Sequence, residues 1–213
     1  MKVSELSRRS GVSLPTIKYY LREGVLQAGV AMGSNQADYD DGHVRRLRLV
    51  RALIEVGGLS IAQVLLTLAA VDDTAMTIHD AFGVAQDGVS PASRGAAAKP
   101  DADQVAALRE VARWLRVRRW KVRPDAMARL ELADTLVAMD HVGWGGSATA
   151  FDALADHVFA VAATEIELLD QDGDRSHLME QSIMGTVLFE QAYCSIRRLA
   201  LEHHSRLRFG RRH

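Results

Sequence analysis

The chain is poor in the residues that punctuate or cross-link a fold: among 213 residues there is one cysteine, Cys194, and there are four prolines. A single thiol excludes an internal disulfide and any metal site built from several thiolates. Aromatic residues are few, at 6% of the chain. No run of about 18 apolar residues occurs, so no membrane-spanning helix is expected. The opening stretch MKVSELSRRSG lacks the apolar core of a signal peptide. Global charge of one sign is also missing. The formal net charge is −1, so any attraction to a polyanion must come from a local surface. A cytoplasmic location is the default these absences leave.

What is present is apolar and helical. Hydrophobic residues make up 48% of the sequence, enough to build a core and to exclude global disorder. Strand-like alternation is almost absent, so the expected fold class is mainly all-α. The periodicity predicts helices over 3–10, 14–22, 41–56, 61–71, 74–82, 102–120, 125–140, 148–170 and 176–205. Ser60 with Gln63 fits a capping box, Asp101 with Gln104 a similar start, and Asp40 an N-cap. The stretch 87–101 has small residues, two prolines and no period, and reads as a linker. The expected organisation is an N-terminal domain at 1–71, a short helix and linker at 72–101, and a helical bundle at 102–213.

The sharpest local pattern lies in residues 3 to 24. Val3 and Leu6 sit one helical turn apart, Gly11 permits a tight bend, and Ser13 is a good N-cap for a second helix. Pro15 falls in that helix's first turn, where its missing N–H costs little. Ile17 and Leu21 point back toward Val3 and Leu6, and Gly24 suits a left-handed helix end. The other face carries Thr16, Lys18, Tyr19 and Arg22, side chains suited to phosphates and base edges. Residues 1–30 hold five basic side chains against two acidic ones.

The segment MKVSELSRRSGVSLPTIKYYLREGVL resembles the N-terminus of the MerR family of regulators. The likeness is carried by Glu5-Leu6, Gly11-Val12-Ser13, Thr16-Ile17, Tyr19-Tyr20 and Arg22-Glu23-Gly24. It continues through Tyr39-Asp40, Leu47-Arg48 and Gly58-Leu59-Ser60-Ile61, about a third of the chain. The resemblance implies a winged helix-turn-helix in which 14–22 enters the major groove and 25–39 forms the wing. It implies that Tyr19, Arg22 and Tyr39 approach the sugar-phosphate backbone, and that basic residues of the next helix, Arg45, Arg46 and Arg48, help grip it. Lys18 stands where the family usually has arginine, so a fork-shaped donor is replaced by a point charge. Ala37 stands where a phosphate-binding arginine is expected, and Asp38 beside it would repel phosphate.

The family's metal- or redox-sensing members carry cysteines near their dimerisation helix, and this sequence has none there. Thiol-based sensing is therefore not expected, and no cofactor is implied. The two long C-terminal segments resemble the TetR-type regulatory domain, where such helices pair with a second subunit. That places Ile183, Gly185, Ala192 and Ile196 at an expected homodimer interface. Trp114, Trp120, Trp144, Phe151, Phe159, Phe189 and Tyr193 are the candidate lining of a pocket for a small apolar effector. Asp170, Asp172 and Asp174 mimic the start of a calcium loop, but Arg175 and Gln181 stand where glycine and glutamate are needed. No nucleophile-base pair or phosphate loop points to an enzyme. The sequence thus reads as a promoter-binding regulator with double-stranded DNA, RNA polymerase and a second copy as partners. The alternative is a protein-interaction module whose winged domain is a weak anchor.

Overall fold

The computed structural model describes residues 1–33, 36–90, 99–170 and 172–210. It divides into two compact units. The first joins Met1–Leu65 to Glu180–His213, and the second is Leu66–Met179. This differs from the continuous division expected from sequence, because the last helix returns to the first unit.

In the first unit, α1 (Val3–Ser10) ends at Gly11, whose φ of 71° is left-handed. The Gly11 N–H donates to the Ser7 carbonyl at 2.9 Å. Helix α2 (Leu14–Arg22) starts where the Ser13 side chain accepts the Thr16 N–H at 3.3 Å. Strands β1 (Val30–Gly33) and β2 (Gln36–Asp38) pair antiparallel, with Val30 opposite Asp38 and Ala31 opposite Ala37. Helix α3 covers Asp41–Arg51, and a π-helical turn follows at Ala52–Val56. The single α-helix expected over 41–56 is thus broken in its last turn. The wider turn keeps Leu53 fully buried while Arg51 reaches Glu55 outside at 2.9 Å. Leu6, Ile17, Leu47, Val50 and Leu53 form a core with no solvent exposure.

Helix α4 (Ile61–Asp72) begins at the expected capping box: the Gln63 N–H donates to Ser60 Oγ at 3.3 Å, and the Ser60 N–H to Gln63 Oε1 at 3.1 Å. The second unit then contains α5 (Ile78–Val89), α6 (Ala102–Val117) and α7 (Met127–His141). A 3₁₀ turn at Ala148–Phe151 leads into α8 (Asp152–Glu167). Helix α5 runs into the stretch read as linker because its glycines are packing sites. A Cβ on Gly88 would lie 2.5 Å from Thr67 Oγ1, and one on Gly83 would lie 2.7 Å from Arg123 Nε. The rest of that stretch, 91–98, lies outside the described residues. Val111 of α6 and Ala133 and Leu136 of α7 are the buried centre of this unit. The final helix, α9, spans Arg175–Phe209. Among the described residues, no helix is long and apolar enough to cross a membrane.

Candidate nucleic-acid interface

Helix α2 is held by its inner face, which fixes what its outer face presents. Ile17 is fully buried and Tyr20 nearly so. Lys18 and Arg22 are exposed, while Thr16 and Tyr19 are half-buried. The Arg22 guanidinium lies over the Tyr19 ring at 5.3 Å and pairs with Glu23 at 3.3 Å. Thr16 Oγ1 shares a 2.7 Å hydrogen bond with Ser13. The structure therefore brings Thr16, Lys18, Tyr19 and Arg22 to one short helix, with both cations exposed.

The other sequence candidates divide. Tyr39 is buried, its ring edge-on to His43 at 5.1 Å, and so serves as packing between wing and α3. Arg46 is buried at 8% exposure. Arg45 lies 3.5 Å from Glu180 of α9. Arg48 is exposed and donates to the Arg9 carbonyl at 3.4 Å, which keeps it available beside α1. Sequence reasoning treated the three arginines alike because helical period alone could not show that Arg45 meets Glu180, more than a hundred residues away, or that Arg48 meets Arg9. Asp38, the acidic residue of the wing, stays exposed, with its Oδ1 2.6 Å from the Met1 nitrogen.

Asp40 sets the start of α3. Its Oδ1 accepts the His43 N–H at 3.1 Å and lies 2.7 Å from His43 Nδ1. The His43 side chain, and then its backbone N–H, hold the Asp40 carboxyl below its ordinary pKa. Because the folded pKa is depressed, the stability this group adds is present above its unfolded pKa and is lost as pH falls through the folded one. Asp40→Ala is expected to cost about 1 kcal/mol by loss of the cap. Asp40→Asn should keep the cap and lose this part of the acid sensitivity, which urea midpoints measured from about pH 6 to pH 3 would reveal.

The candidate effector residues do not all gather. Trp114 and Trp120 meet edge to face at 5.7 Å, Trp120 stacks on Phe159 at 5.5 Å, and Phe151 packs on the same core. Arg118 crosses Trp114 at 4.9 Å and pairs with Asp152 at 3.0 Å and Asp156 at 2.7 Å, tying α6 to α8. Trp114 Nε1 donates to Asp152 at 2.8 Å; that bond, and then Arg118, pull the Asp152 carboxyl below its ordinary pKa. Trp144 stands apart at 81% exposure, and Phe189 and Tyr193 belong to α9 in the other unit.

Two helices crossed at a glycine bend, a second helix with a cationic outer face and a two-stranded wing define a winged helix-turn-helix of the DNA-binding regulator class. The profile of MerR HTH family regulatory proteins matches residues 1–70. The HTH-type transcriptional regulator HmrR of Sinorhizobium medicae (strain WSM419) is 32% identical over 101 residues, 47% of this chain and 68% of that protein. The heavy metal-dependent transcription regulator 2 of Rhizobium meliloti (strain 1021) is 29% identical over 116 residues, 54% of this chain and 72% of its own. The crystal structure of SCO5550, a proposed transcriptional regulator from Streptomyces coelicolor A3(2), superposes with a TM-score of 0.75 and 30% identity over 100% of both chains. The chain belongs to the MerR HTH family of regulatory proteins, and it is a DNA-binding transcription regulator. One of these relatives is named for a dependence on heavy metal. Cys194 is exposed and is the sole cysteine, and among the described residues no three His, Cys, Asp or Glu side chains gather to hold an ion.

Proposed function

We propose that this regulator works in the cytoplasm as a homodimer. It reads a near-palindromic promoter element with α2 of each copy and re-aligns that element for RNA polymerase, without catalytic turnover of its own. The observation that carries the dimer is the outer part of α9. Past Val187, no residue through Gly210 is buried, although Phe189, Ile196, Leu199 and Leu207 are apolar and share one face of the helix. A helix of 35 residues spans about 52 Å, and an apolar stripe left open over its second half marks an interface. Helix α8 is similar, with Leu154, Val158, Phe159 and Ile166 exposed. Within this reading the contact shifts outward: Ile183 is 1% exposed in its own chain, Gly185 and Ala192 are half-buried, and Ile196 is 61% exposed. A small apolar effector would act through Trp114, Trp120, Phe151 and Phe159, the four candidate rings that gather.

The test replaces Ile196 and Leu199 together with glutamate. Four charges at the seam of two α9 helices cannot be buried without partners. Sedimentation at about 10 μM should show monomer, and operator affinity should fall about a hundredfold because the two half-sites are no longer held together. A wild-type protein that is monomeric under the same conditions overturns the reading.

One observation favours the interaction-module reading as a second role. Trp144 is exposed on a turn held by Gly143 and Gly145 at φ 78° and 74°, and by Gly146, whose Cβ would lie 2.1 Å from the Leu136 carbonyl oxygen. A rigidly presented tryptophan is the kind of side chain that anchors a protein contact.

A further inference from the structure

We propose that Arg45 and Glu180 are positioning residues that fix the direction of α9 on the reading head and thereby set the half-site separation the regulator accepts. The inference rests on the dimer reading above.

A carboxylate as buried as Glu180, at 5% exposure, is costly unless a cation stands beside it. Arg45 of α3 is there, its Nε 3.5 Å from Glu180 Oε2. A second point of attachment lies farther along. A Cβ on Gly57 would fall 3.2 Å from Val187 Cγ1 and 2.9 Å from Leu59 Cδ1, so α9 runs against the turn after α3. Between the two points Ser182 and Ile183 are buried as well. Glu180 and Val187 are two turns apart, about 10 Å along α9. One contact would leave the helix free to swivel, whereas two separated contacts define its direction.

That direction matters because of leverage. From Leu188 to Phe209 the helix extends about 33 Å, with no buried residue. A swing of about 10° at the seat moves its far end by about 6 Å, nearly two base-pair steps. If two copies meet on this part of α9, the separation of their two α2 helices follows from the angle set at Arg45 and Glu180. Half-site spacing on DNA is the geometric consequence. Arg45, a candidate for phosphate contact on sequence grounds, is reassigned from gripping DNA to aiming the head.

The experiment measures affinity for a single half-site and for paired half-sites at several separations, using wild type, Glu180→Gln, Arg45→Gln and the exchanged pair Arg45→Glu with Glu180→Arg. Wild type should prefer one separation and lose about tenfold when roughly two base pairs are inserted. Both single variants should keep half-site affinity within about twofold while the loss on insertion shrinks below about threefold. The exchanged pair should restore the preference. If Arg45 grips phosphate instead, Arg45→Gln will weaken half-site binding and lower the salt slope by about one while Glu180→Gln does not, and the proposal falls. It also falls if the separation preference survives in both single variants, or if a folded exchanged pair stays flat. A wild type that sediments as monomer and shows no preferred separation overturns the dimer reading itself, whereas a preference that the variants keep leaves the dimer standing and removes only the role of this pair. Should Glu180→Gln fail to fold, Arg45→Gln, at a partly exposed position, and the exchanged pair decide the matter.

Discussion

Replacing Lys18 and Arg22 together with alanine is expected to lower operator affinity about a hundredfold per half-site, and about ten-thousandfold for a site gripped by two copies. Hydrogen bonds to charged groups contribute about 1.5–3 kcal/mol each, and a factor of ten corresponds to about 1.4 kcal/mol. Two lost cations per half-site therefore reach two orders of magnitude. The same loss should flatten the salt dependence, by about 0.9 in logarithmic slope for each phosphate contact removed. The fold should survive, because both side chains are exposed and the core face of α2 is made by Ile17 and Tyr20. Binding isotherms from about 50 to 200 mM salt, with a melting curve beside them, are the measurement. Unchanged affinity and slope would mean that α2 does not face DNA with this side.

Ile17 is the neighbour of Lys18, and its substitution should do the opposite. It has no solvent exposure, like Leu6 and Leu47 of the same unit. Ile17→Ala removes three carbons from a packed interior, and the expected cost is about 2–5 kcal/mol, transfer and cavity terms together. That is a large share of the total stability of an ordinary domain. Urea unfolding should show a lower midpoint with an unchanged slope. At temperatures where the variant remains folded, its contacts with DNA should be intact, since the cationic face is untouched. A loss below about 1 kcal/mol would show that the helices collapse around the gap.

Why some of this was readable in sequence and some was not follows from the range over which each residue acts. Gly11, Ser13, Asp40, Ser60 and Asp101 all take the roles their positions suggest. Each works through a backbone dihedral or a hydrogen bond to a residue three places away. The cationic face of α2 is legible for the same reason, since Ile17 fixes the orientation of Lys18 one residue on. Gly83, read as the end of a short helix, and Gly88, read as the start of a linker, misled because helix ends, flexible segments and close packing all use glycine. What makes them packing sites is Arg123 and Thr67, which no local pattern connects to them. The start of α8 shifted likewise: Glu110 accepts the Ala148 N–H at 2.8 Å from 38 residues away and holds a 3₁₀ turn where a continuous helix was expected. That Arg45 lies beside Glu180 was likewise invisible, because the two are far apart along the chain.

The return of α9 to the first unit has a consequence for synthesis on the ribosome. The reading helices and wing emerge first, yet the strip from Glu180 to Val187 that belongs with them is separated from Leu65 by more than a hundred residues. At bacterial elongation rates that interval lasts on the order of ten seconds. Throughout it the nascent head presents the surface around Gly57 and Leu59 without the helix that covers it. The contact is also one of the most distant in sequence, and such contacts pay the loop-closure cost before they return any stability. The first unit therefore stays incomplete until α9 has been made, and the growing chain passes through a state in which α1 to α3 exist without the strip of helix that belongs with them.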